Sequence, residues 1–170
     1  MNFKEFFEGT AEEIQNERRK TGIYVSAKLN ERSEKRLHNW VSDQKIEKAT
    51  IVPTKDYHCT VIYSRASIPK EDWVNQIVLY SAKPKELRVF PYEKTSHCLV
   101  LEIKSPSLEI LHKDLLEAGA KHGYPDFIPH LTIAYNISSD FDCSKLEIPN
   151  FELIFTTIKS ENLDLDWASK

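Results

Sequence analysis

With 170 residues, 41% of them apolar and 29% charged, the chain has the make-up of one soluble globular domain and is too short for two separate cores. A formal net charge of -3 argues against a broad basic coat for long nucleic acid, and four glycines without GxGxxG or P-loop spacing argue against a triphosphate cradle. No apolar run approaches the roughly 20 residues of a membrane helix, and the start Met1-Asn2-Phe3-Lys4-Glu5 lacks a basic-then-apolar leader, so a cytosolic protein is expected.

In chain order, Phe3, Phe6, Phe7 and Ile14 recur at near-helical spacing and predict a helix over residues 3–19, weakened by Gly9. Gly22 opens an extended run, Ile23 to Leu29. Asn30 is placed to cap a helix carrying Leu37, Trp40 and Val41 on one face. A strand follows over Tyr57 to Tyr63. Leu87–Phe90 and His97–Ile103 read as paired strands joined through Pro91-Tyr92. Ser105-Pro106 starts a second helix with Leu108, Leu111 and Leu115 on one face, ended by Gly119 or Gly123. Strands at His130 to Tyr135 and Phe151 to Thr156 lead into a polar tail that holds Trp167. Each half thus places a helix before its His-x-Thr strand, an order that fits an α+β fold with two similar lobes.

Those two strands carry the chemistry. His58-Cys59-Thr60-Val61-Ile62-Tyr63-Ser64 and His130-Leu131-Thr132-Ile133-Ala134-Tyr135-Asn136 both read His, apolar, Thr, apolar, apolar, Tyr, small polar. Side chains alternate faces along a strand, so the His and Thr of each triplet share a face while Cys59 and Leu131 turn to the core. A single His-x-Thr triplet is most simply a hydrogen-bonding pattern on a half-buried sheet; a matched pair points to a site. Histidine titrates near neutrality and serves as base or acid, and a threonine hydroxyl donates to a non-bridging phosphate oxygen. The set {His58, Thr60, His130, Thr132} therefore suits metal-independent phosphodiester cleavage. No HExxH and no companion carboxylate sits at ligand spacing, so neither a metal nor a cofactor is expected. Ser64, Asp56 and Asp126 could form a hydrolase triad on paper, but no GxSxG turn supports one. Cys59, Cys98 and Cys143 lie far apart, form no CxxC pair and read as buried free thiols. His38, His112 and His122 fall on predicted polar helix faces or ends and are expected in solvent.

At these residues the chain resembles the two-histidine phosphoesterase superfamily, defined by paired His-x-Thr/Ser motifs in a bilobal fold. Within it, the sequence is similar to the phage anti-CBASS nucleases, which destroy cyclic oligonucleotide signals of bacterial immunity. Four stretches carry that likeness: Ile23 to Lys28, His58 to Arg65, Pro129 to Asn136, and the ending Leu163-Asp164-Leu165-Asp166-Trp167-Ala168. The resemblance implies antiparallel sheets from two pseudo-symmetric lobes around a central cleft, with helices outside. It implies that His58, Thr60, His130 and Thr132 are catalytic, that Tyr24 and Lys28 line the ligand pocket, and that Glu161 and Trp167 lie on a segment closing over a base. A tryptophan in a polar tail suits that role, since base–aromatic stacking is worth about 1–3 kcal/mol. The implied domain spans residues 22–170, leaving 1–21 as a helical extension on which the resemblance is silent. The implied substrate is a cyclic di- or trinucleotide, with no membrane or long nucleic acid as partner. Two rivals remain: a 2′,3′-cyclic phosphodiesterase that processes RNA ends, and a sponge that binds cyclic nucleotides without cutting them.

Overall fold

The computed structural model describes residues 22–66, 68, 75–124 and 126–163; the predicted helix at 3–19 and the tail from Asp164, Trp167 included, lie outside them. The elements are β1 (Gly22–Leu29), α1 (Glu31–Gln44), β2 (Thr50–Ile51), β3 (His58–Ser64), β4 (Gln76–Tyr92), β5 (Ser96–Lys104), α2 (Pro106–Glu117), β6 (His130–Ile137) and β7 (Leu153–Leu163). Both predicted caps form. The Asn30 side chain accepts from the Ser33 amide at 2.8 Å, and Ser105 Oγ accepts from the Leu108 amide with Pro106 in the first turn. After α2 the chain turns at Gly119, whose φ of 110° lies in the left-handed region, making Gly119 rather than Gly123 the stop. Gly22 is required for a different reason. A Cβ there would lie 2.1 Å from the Ser64 carbonyl oxygen, so only glycine lets β1 start flush against β3.

Every strand pairing is antiparallel. The order is β2–β6–β3–β1–β7–β4–β5, and β5 also pairs with β6, so the hydrogen-bonded path returns on itself. The two lobes share one plan. β1–α1–β3 with outer strand β7 makes the first lobe, and β5–α2–β6 with outer strand β4 makes the second. The early part of β4 also pairs with β7, which links the lobes on their far side. On their near side β3 and β6 meet at one pair, Cys59 opposite Leu131. The expected α+β, two-lobed architecture is therefore present, with the strands of both lobes fused into one continuous sheet.

One face of that sheet holds the core. Val25, Ala27, Cys59, Val61, Leu101, Leu131, Ile133 and Phe155 join Leu37 and Val41 of α1 and Leu108 and Leu115 of α2 in a single buried cluster. Strand β4 was legible only at Leu87–Phe90. It begins eleven residues earlier, where exposed Ile77 and Leu79 alternate with half-buried Val78 and Tyr80 and hide the usual apolar-in pattern. Pro84 is tolerated because the ladder with β5 shifts register between Pro84 and Glu86.

Each histidine strand carries a β-bulge. The β1–β3 register shifts so that Val25 faces Ile62 and Ser26 faces Thr60, leaving Val61 as the extra residue. The β5–β6 register shifts so that Leu99 faces Ala134 and Val100 faces Thr132, leaving Ile133 extra. A bulge inverts the alternation beyond it. This is why two apolar residues follow each threonine, and why Tyr63 and Tyr135 return to the face that carries the His and Thr.

Candidate active site

The antiparallel pair Cys59/Leu131 puts His58 across from Thr132 and Thr60 across from His130. Cys59 and Leu131 are fully buried in the core, while the four flanking side chains are half-buried on the opposite face. Both histidines use the same local device. His58 Nδ1 lies 2.7 Å from the Asp56 carbonyl, and His130 Nδ1 lies 2.7 Å from the Ile128 carbonyl, each two residues upstream. A carbonyl only accepts, so each Nδ1 carries the proton and Nε2 is left to exchange protons with a substrate. A pocket of about 160 Å³ opens beside the seam, with His58, Thr132, Asp56 and Tyr135 in its lining.

The surroundings of the two histidines differ in charge. Lys28 is the β1 partner of His58, whereas Glu102, 6% exposed, is the β5 partner of His130. The imidazole of His130 is held below its ordinary range, first by burial and then by the nearby His58; the Ile128 carbonyl and Glu102 pull partly the other way. His130 is thus neutral in the free protein near pH 7. Burial pushes the Cys59 thiol up to about 12, so the residue between His58 and Thr60 is no nucleophile.

Tyr24, Lys28 and Glu161 gather on the same face. Tyr24 OH lies 3.1 Å from Thr60 Oγ1, and its ring meets His58 edge-on at 6.5 Å. Lys28 stands opposite His58 on one side and Thr157 on the other. Glu161 is the β7 partner of Tyr24 and pairs with Lys159 at 2.8 Å, which holds its carboxyl below the usual range. Trp167 lies outside the described residues. Sequence reasoning missed Glu102, Arg88 and Phe90. Phe90 meets the His130 ring at 5.1 Å, and Glu102 binds Lys85 at 2.9 Å and Arg88 at 3.2 Å. Nothing in their local sequence marks them, because only the β4–β5–β6 register brings them beside His130. Among the described residues, no group of three His, Cys, Asp or Glu side chains could hold one metal ion.

Four expected placements need correction. His112 is 6% exposed rather than solvated: its Nδ1 reaches the carbonyl of the bulged Val61 at 2.7 Å and its ring stacks on Phe127 at 4.1 Å. A bulge leaves a carbonyl without its ladder partner, and a buried imidazole supplies one. His38 and His122 are half-buried. Cys143 is half-buried too, although Cys59 and Cys98 are buried free thiols as expected.

Comparison with known proteins agrees with this geometry. The family model described as anti-CBASS protein Acb1 matches residues 21–170, so residues 1–20 lie outside the match. The chain is 30% identical over 150 residues to anti-CBASS protein Acb1 of Vibrio phage KVP40, covering 87% of this chain and 91% of that one. It is 29% identical over 148 residues to the protein of the same name from Enterobacteria phage T4, covering 87% and 92%. Among solved structures, TT0787 of Thermus thermophilus superposes with a TM-score of 0.59 at 14% identity, covering 81% of this chain and 86% of that one. E. coli LigT complexed with 3′-AMP superposes with a TM-score of 0.56 at 14% identity, covering 84% and 87%. At such low identity these two speak for the fold, which is that of two-histidine phosphoesterases. The matched region contains both His-x-Thr strands and every described residue, and on that ground the chain belongs to the anti-CBASS protein family.

Proposed function

We propose that the protein is a metal-independent phosphodiesterase that cuts 3′–5′ bonds of cyclic di- or trinucleotides and so blocks CBASS signalling in the cytosol of an infected bacterium. The observation that carries this reading is the pair of histidines, each locked by a backbone carbonyl at Nδ1 and each facing the other strand's threonine. Family membership supports the signalling context. A binding sponge has no use for two proton-exchanging nitrogens, which is why cleavage is preferred to sequestration.

The chemistry runs through His130 as base and His58 as acid. Neutral His130 takes the proton of the ribose 2′-hydroxyl; that oxygen bonds to phosphorus, the P–O5′ bond breaks, and His58 gives its proton to the leaving 5′ oxygen. The products are a 2′,3′-cyclic phosphate and a 5′-hydroxyl. Glu102 favours the imidazolium that forms on His130, which suits His130 to the base's role and leaves the acid's to His58. Thr60 and Thr132 donate to the phosphate oxygens as charge builds there. Tyr24 fixes the Thr60 hydroxyl.

Two measurements bear on this. Activity on a panel of cyclic di- and trinucleotides, with a linear RNA alongside, should persist in EDTA; loss of more than about half the rate would end the metal-free mechanism. Cleavage of the linear RNA alone would instead favour the RNA-processing rival. The second measurement is the pH profile of kcat/KM. Its acid limb should fall below about 6.5, the unperturbed histidine value, because the base must be neutral and burial lowers its pKa. Glu102→Gln removes a negative charge beside His130 and should move that limb to lower pH. A shift of the alkaline limb instead would exchange the roles of the two histidines.

A further inference from the structure

The pseudo-symmetric lobes set up two matching rows of side chains on the site face. Outward from Thr132 the pairings reach Val100 and then Arg88; outward from Thr60 they reach Ser26 and then Lys159. A cation therefore stands two strands, about 9–10 Å, outside each threonine. Each is tethered by a carboxylate, Arg88 to Glu102 at 3.2 Å and Lys159 to Glu161 at 2.8 Å.

The tethers are unequal. Lys159 and Glu161 are about half exposed and cancel one another. Glu102 is buried and takes two cations, Lys85 as well as Arg88, and its β4 partner Glu86 adds a second carboxylate, so the charges at that corner balance. The difference between the corners lies in burial and not in net charge: Lys85 already bonds the buried Glu102 at 2.9 Å, and Arg88 touches it through one nitrogen, which leaves the guanidinium further donors for a ligand. The Arg88 guanidinium lies 5.3 Å from the centre of the Phe90 ring, and that ring meets His130.

The geometry points to Arg88 as a substrate-positioning residue that grips a second phosphate, one nucleotide away from the bond being cut, in a ligand with at least two phosphates. This rests on the function proposed above. The cut phosphate lies among the two histidines and two threonines, and Arg88 stands outside that set, where the next phosphate of a compact ring arrives. The guanidinium fork suits phosphate oxygens, and Glu102 fixes its direction before the ligand binds.

The test is calorimetric binding to the full chain with two probes. One is a phosphorothioate 3′,3′-cyclic dinucleotide, which resists cleavage; the other is adenosine 3′-monophosphate, which has one phosphate. Arg88→Ala should weaken the cyclic dinucleotide about 10-fold or more and the monophosphate less than about 2-fold, with Arg88→Lys between wild type and Arg88→Ala. Equal weakening of both probes would place Arg88 at the cut phosphate or in the fold, and unchanged affinity for both would leave it a mere partner of Glu102; either overturns the assignment. Failure of the nuclease reading shows up separately. A wild-type protein that binds the unmodified cyclic dinucleotide through Arg88 but leaves it intact keeps this subsite and refutes cleavage.

Discussion

Alanine at His58 or at His130 should lower kcat on a cyclic dinucleotide by about 10²–10⁴-fold, the usual worth of a positioned acid or base. The two losses should not multiply in the double variant, because base and acid act in one concerted transfer. Neither substitution should disturb the fold. Both side chains are half-buried on the site face, and neither belongs to the core cluster. Thermal melting should therefore stay within a few degrees of wild type, and the cyclic dinucleotide should still bind. The threonines give a graded control. Thr60→Val or Thr132→Val removes a hydroxyl donor and keeps the β-branched shape, with an expected loss of about 10²–10³-fold. The experiment is steady-state kinetics on the four single variants, with products followed by mass. Full activity in either histidine variant would remove that residue from the reaction and the two-histidine mechanism with it.

The second large effect belongs to a residue that never touches substrate. Leu131→Ala should destabilise the protein by about 2–5 kcal/mol and lower its melting temperature by roughly 5–15 °C. Leu131 is fully buried, and its only β3 partner is Cys59, at the one point where the two histidine strands pair. Truncation leaves a cavity under that point, so kcat should fall more than melting alone accounts for, even well below the melting temperature. Leu131→Met keeps the volume and should cost less than about 1.5 kcal/mol. An alanine variant with wild-type kcat would show that the seam holds its geometry without the side chains beneath it. Register is the reason for the sensitivity. A slip of one residue would send the histidines and threonines into the core and bring Cys59 and Leu131 to the surface.

Much of this was legible in the sequence because the chemistry and the strand period coincide. The triplets place His and Thr on one face by alternation alone, and the caps at Asn30 and Ser105 come from side chains that bond their own backbone. The two apolar residues after each threonine were visible as a repeated pattern, but their meaning, a bulge at Val61 and at Ile133, needed the partner strand. The same holds for Glu102 and Arg88, which acquire significance only from their neighbours on β4 and β6. His112 was misplaced because a helix face reads as polar from its own residues, whereas the acceptor it serves sits on another element. Strand β4 was shortened to its second part because Ile77 and Leu79 point away from the core, against the rule that large apolar groups are buried.

The opposite charges beside the two histidines bear on direction. A phosphodiester has a direction of its own, since the 2′-hydroxyl that can attack lies on the 3′ side of the phosphorus and the oxygen that can leave lies on the 5′ side. The cleft offers a lysine beside one histidine and a buried glutamate beside the other. On the proposed mechanism the protein therefore selects the seating, with the 2′-hydroxyl toward the glutamate side and the 5′ oxygen toward the lysine side, and the ligand fixes which bond breaks. An internally duplicated scaffold gains a polarity from a single pair of unlike charges.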